Sequence, residues 1–191
     1  MVIVSIGSVI TAIEDLSILK HFKNEEILSW EVSSLNYPWL VKGRIAAFID
    51  HVLSFKRFRY IIVIRLISSG LIASLAFFLY DWLLSILLLL AALTTFSFNI
   101  RNPFGLDGAH QMTVILFTTL FLGSIAENAS IGQHACIWFI VLQACLSYFV
   151  AGVYKLSSPV WRNGHALIGI SSTNMYGNKW AYGLLSNNVG L

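Results

Sequence analysis

Charge is what this sequence has least of. Only 11% of its 191 residues are Asp, Glu, Lys or Arg, against roughly 25% in a soluble domain. Between Tyr60 and Tyr154 the formal charges are Arg65, Asp81, Arg101, Asp107 and Glu127 alone. A water-soluble fold of this size could not cover its surface with so few. Cysteine is also scarce. Cys136 and Cys145 lie in one apolar run, about two and a half helical turns apart, too far to bridge and without metal-ligand spacing. No glycine-rich phosphate loop, nucleophile elbow or clustered Cys/His set occurs, so phosphoryl-transfer, hydrolase and zinc chemistry find no support and no metal site is expected. Internal repeats and low-complexity linkers are missing too. Intramembrane charges are too few to trace an ion path, which weighs against transport. The opening MVIVSIGSVITA lacks a positive n-region and runs straight into Glu14 and Asp15, so it reads poorly as a cleaved signal peptide.

What is present is apolar: 57% of residues. The fold class expected is all-α, a polytopic membrane helical bundle of about four transmembrane helices, preceded by N-terminal interfacial helices. Residues 1–59 form the amphipathic, interfacial segment, 60–156 the transmembrane bundle, and 157–191 an amphipathic segment that reads as the start of a further C-terminal part. The spans fall near 60–80, 82–99, 110–126 and 134–154, each measured against a hydrocarbon core about 30 Å thick. The third is short and marginal.

Lys42, Arg44, Lys56, Arg57 and Arg59 stand just before the first span. A basic strip abutting a span is a topology signal rather than a nucleic-acid patch. With every span crossing, that strip, the loop around Arg101 to His110 and the chain from Lys155 onward share one side. The opposite side receives Asp81 and the turn with Glu127. The expectation is a multi-pass protein of the cell membrane with a cytoplasmic N-terminus, the lipid bilayer its first partner and nucleic acid excluded.

Few residues inside this bundle can carry chemistry. Arg65 lies five residues into the first expected span. Either it snorkels to the near interface, or it faces inward, where it pairs with Asp107 or binds an anionic group. The loop RNPFGLDGAHQM places Arg101, Asp107, His110 and Gln111 at the mouth of the bundle. Asp107 suits an N-cap, and His110, on the inner face, would titrate near neutral pH. In SYFVAGVYKLSSPVWRNGHAL, Lys155 ends a span and is followed by Trp161, Arg162 and His165. Two readings of Lys155 stand open: a snorkelling anchor, or an amine held in low dielectric that acts as a base.

The run Tyr148, Phe149, Ala151, Gly152, Val153, Lys155, Leu156, followed by Trp161 and Gly164, resembles the horizontally transferred transmembrane domain family. That family is related to the membrane part of the vitamin K-dependent γ-carboxylase. The Asp107–His110 loop and LSWEV at Leu28 to Val32 are similar as well, but the 148–164 stretch is the specific part. The resemblance implies that Lys155 is the base that deprotonates a reduced quinone, such as menaquinol or vitamin K hydroquinone, with His110 as a second catalytic residue. Arg65, Asp107, Trp161 and Arg162 would contact the substrate, and a peptide or protein would be a further partner. The family's domain has additional spans, so the chain reads as a truncated member. Some bacterial relatives resemble proteins that help mature secreted peptides, so the alternative is a non-catalytic membrane protein for maturation, export or immunity of such a peptide. Shared fold does not transfer activity.

Overall fold

A computed structural model describes residues 1–24, 26, 28–37, 46–78, 81–101, 108–126, 129–173, 177–178, 180 and 182–184. Among them every regular element is helical. The chain divides into two units, Met1–Phe139 and Ile140–Leu191, and the division falls within one long helix.

In the first unit, α1 (Val2–Ser17) leads into a 3-10 turn at Leu19–Phe22, and α2 (Trp30–Ser34) and α3 (Ala46–Leu53) are short. The long helices follow: α4 (Phe55–Leu75), α5 (Asp81–Arg101), α6 (Gly108–Ser124) and the first part of α7 (Ala129–Ser157). α1 packs on α4, α4 on α5, and α5 on α6. α2 and α3 are tied by the Trp30 indole Nε1, which donates to Asp50 Oδ1 at 2.7 Å. The second unit holds the rest of α7, then α8 (Pro159–Arg162) and α9 (His165–Ser172).

Among the described residues three helices are long and apolar enough to cross a membrane: Phe55–Leu75, Asp81–Arg101 and Ser130–Ser157. The expectation was about four. α6 has 17 residues, about 26 Å of helix, so it falls short of a core about 30 Å thick. The first span begins earlier than expected, because Lys56, Arg57 and Arg59 lie within the first turns of α4 rather than in the interfacial segment that precedes it. Their long stems allow that, since a charged head can reach water from inside a helix end.

The burial pattern is inverted relative to a soluble protein. On α4 the residues facing the bundle include Arg65, Ser68 and Ser69, while Val63, Ile64, Ile67 and Leu71 are exposed. Aliphatic side chains outward and polar ones inward is what hydrocarbon demands. Two apolar clusters bracket the polar middle. One joins Ile72, Ala76, Leu87, Leu88, Ala91, Ala92 and Phe117. The other joins Ala12, Phe22, Phe58, Ile62 and Phe98.

α6 and α7 meet through small residues in the first unit. A Cβ on Gly132 would come within 2.5 Å of the Ala126 Cβ, and one on Gly123 would collide with the Cys136 Sγ. The Cys136 thiol donates to the Thr119 carbonyl at 3.0 Å. Close backbone approach through glycine is a common way to pack helices in lipid, where hydrophobic driving force between helices is lacking.

Candidate functional site

The polar middle of the first unit is built on α4. Its buried positions recur at helical spacing, Phe58, Ile62, Arg65, Ser68–Ser69 and Ile72, so Arg65 is carried to the centre of the bundle. It is 2% exposed. Its guanidinium Nη2 donates to Asp15 Oδ2 of α1. Its Cζ also lies 4.7 Å from the centroid of the Phe98 ring, a cation–π contact strengthened by desolvation. One turn away the Ser69 hydroxyl donates to the Ser8 hydroxyl at 2.9 Å. An isolated charge here would be expensive, and pairing makes it tolerable.

A cavity of about 170 Å³ opens beside this pair, lined by Gly7, Ser8, Thr11, Arg65, Thr95, Ala109, His110 and Thr113. Four helices contribute: α1, α4, α5 and α6. His110 is half-buried, with its ring stacked on Phe98 at 6.0 Å between centroids. Its backbone carbonyl accepts from Asn99 Nδ2 at 3.3 Å. The lining therefore offers hydroxyls that donate or accept, an imidazole that can give or take a proton, and a paired guanidinium.

Nearer the start of α4 lies a second buried cation. Arg101, the last residue of α5, is fully buried, and its Nη2 donates to the Phe22 carbonyl at 2.7 Å. Its Cζ sits 4.3 Å from the Phe58 ring centroid and 5.8 Å from that of Phe22. Among the described residues Nε and Nη1 have no hydrogen-bond partner. The contacts pin the 3-10 turn to the end of α5.

In the second unit, Lys155 occupies the last turn of α7 and is exposed. Its Nζ lies 4.7 Å from the centroid of the Trp161 ring. Pro159 opens α8, where a missing N–H costs nothing. Gly164, between α8 and α9, has φ 76°, a left-handed conformation that glycine alone adopts cheaply. That turn accounts for the glycine of the motif. Arg162 is exposed at the end of α8.

Of the residues singled out from the sequence, the structure brings Arg65 together with His110 around one cavity, and Lys155 together with Trp161. The carboxylate on Arg65 is Asp15, and Asp107 lies outside the described residues. Sequence reasoning missed Asp15, Ser8, Ser69 and the Phe22–Phe58–Phe98 group. One signal was available: Ser5, Ser8, Ala12 and Asp15 recur every three or four positions in an isoleucine-rich helix. That stripe marks an inward polar face. Nothing in the sequence pairs three phenylalanines so far apart.

No protein-family model, no curated protein and no solved structure matches this chain.

Proposed function

We propose that this chain is a multi-pass membrane protein that takes up the ring of a lipid-soluble quinol in the cavity beside Arg65 and His110. The observation that carries the reading is a cavity lined by His110, Ser8, Thr11, Thr95 and Thr113 beside the buried Arg65. At roughly 30 Å³ per liquid water, about 170 Å³ has the room of five or six waters, the scale of one small ring rather than a whole lipid. A quinol hydroxyl donates and accepts, as the lining hydroxyls and the imidazole do, and its isoprenoid tail is at home among acyl chains.

Separately from that cavity, the resemblance at 148–164 implies quinol chemistry in the second unit, with Lys155 as its base. The neutral amine would take the proton of a quinol hydroxyl, breaking O–H and forming N–H, and leave a quinol anion beside an ammonium. Cell membranes containing the full chain are assayed for oxygen-dependent quinol oxidation, with Lys155→Ala and His110→Ala as variants. Loss in both, with protein levels unchanged, is the expected result; unchanged activity in Lys155→Ala sinks the base assignment.

The second reading is a non-catalytic membrane protein serving maturation, export or immunity of a secreted peptide. The Lys155–Trp161 contact favours it, because an exposed lysine laid over a tryptophan ring suits the membrane surface. An interfacial anchor has this form.

A further inference from the structure

α1 carries its polarity on the face opposite to that of a helix lying on a protein in water. Ser5, Ser8, Ala12 and Asp15 are buried, while Ile3, Ile6, Ile10 and Ile13 are 84%, 48%, 53% and 54% exposed. Facing water, each outward isoleucine would forgo a large part of the stabilisation that burial of an aliphatic side chain yields. Facing hydrocarbon, the same arrangement favours the isoleucines and hides Ser5, Ser8 and Asp15, while the second carboxylate, Glu14, stays exposed beside Ile13.

The partners of α1 fall in reverse order along α4. Val2 and Val4 pack on the cluster of Ile72 and Ala76. Ser8 meets Ser69, and Asp15 meets Arg65. Ala12 and Phe22, with Leu16 and Leu19 against them, join Phe58 and Ile62. The stretch from Val2 to Phe22 therefore runs antiparallel to α4, from the level of Ala76 to that of Phe58. That part of the helix is about 27 Å long at 1.5 Å per residue, against about 30 Å for a hydrocarbon core.

We infer that Val2–Phe22 is itself embedded in the bilayer beside α4, that its isoleucine face is a contact surface for lipid acyl chains, and that its Val2 end lies across the membrane from Lys23, Lys56 and Arg57. It replaces the interfacial helix expected from length. α1 alone, at 16 residues, is too short to cross, but the 3-10 turn extends it toward the basic end. By the positive-inside rule that basic end is cytoplasmic, which puts the Val2 end on the far side, contrary to the expectation of a cytoplasmic N-terminus.

The test uses the full chain in lipid bilayers, with Cys136→Ser and Cys145→Ser to leave one thiol at a time. Nitroxides are placed at the outward positions Ile3, Ile6, Ile10 and Ile13. Accessibility to molecular oxygen is compared with accessibility to a water-soluble nickel chelate. The expected profile is oxygen-rich, rising from Ile3 through Ile6 to a maximum at Ile10 and Ile13, which lie nearest the middle of the stretch. A flat, shallow profile describes a helix lying in the interface and overturns the inference. Low accessibility to both reagents means that protein covers the face, and overturns it too. In intact cells a membrane-impermeant maleimide should label Val2→Cys and spare Lys23→Cys; labelling of both from one side refutes the crossing.

Discussion

Asp15 and Arg65, fifty positions apart in the chain, form a buried ion pair that fastens α1 to the middle of α4. Together they are close to neutral, so a helix that carries a carboxylate can sit inside the bundle beside one that carries a guanidinium. The cation–π contact with Phe98 brings α5 into the same junction. Three helices are thus held at one level, and the cavity beside His110 takes its shape from that junction.

Removing one partner leaves the other charged and stranded. Asp15→Asn is expected to destabilise the bundle by about 3–5 kcal/mol, the usual cost of breaking a buried pair. Arg65→Met in the Asp15→Asn background should recover part of the loss, because no uncompensated charge then remains. Unfolding in detergent micelles, titrated with a denaturing surfactant, reads both. If Asp15→Asn unfolds at the wild-type midpoint, the pair does not hold α1 in place.

The bundle was legible in the sequence to different depths. Long apolar runs announced α4, α5 and α7, since spanning lipid needs unbroken hydrophobic length. Their ends were less clear, because basic residues can sit inside a helix and still reach water, as Lys56, Arg57 and Arg59 do. The inward turn of Arg65 could not be settled from its own neighbours: its partner lies on α1, where Glu14 and Asp15 read only as the end of an apolar run. The Arg101 cage was equally hidden. Phe22, Phe58 and Phe98 come from three elements with no shared spacing, and only the antiparallel course of α4 and α5 brings them together.

Arg101 differs from Arg65 in having no carboxylate among its described partners. Its Nη2 bonds to the Phe22 carbonyl, and the remaining attraction comes from the Phe58 and Phe22 rings. Replacing a desolvated, incompletely bonded cation by an apolar side chain of similar length is often close to neutral. Arg101→Met is therefore expected to stay within about 1.5 kcal/mol of wild type, whereas Arg101→Ala, which empties the space between the rings, should cost about 2–5 kcal/mol. The same detergent unfolding assay compares them. Equal losses in both variants would show that the charge, not the packing, holds the 3-10 turn.

The α6–α7 crossing gives a prediction that needs no charge. Gly132→Leu must push α7 away from the end of α6, because even a Cβ would meet Ala126 at 2.5 Å and the Gly123 carbonyl of α6 at 3.2 Å. A loss of about 1–3 kcal/mol is expected from overpacking. Gly70, on α4, has nothing within 4 Å of an added Cβ, so Gly70→Ala should be tolerated without loss. Measuring both variants side by side separates a local clash from a general intolerance of glycine replacement, and a tolerated Gly132→Leu would remove the close crossing.

Lys155 can be assigned by a single conservative change. Arginine keeps a cation over the Trp161 ring, and stacks on it at least as well as lysine, but at neutral pH it has no free amine with which to take a proton. If Lys155 is the base, Lys155→Arg should insert normally, reach wild-type levels in the membrane and lose quinol oxidation. Trp161→Leu in the same assay should leave the amine in place and reduce membrane insertion or anchoring rather than turnover per molecule. Should Lys155→Arg oxidise quinol at the wild-type rate while Lys155→Ala and Trp161→Leu both lower the amount of inserted protein, the lysine is an anchor at the membrane surface. The second reading then holds, and any proton transfer has to be sought at His110 instead.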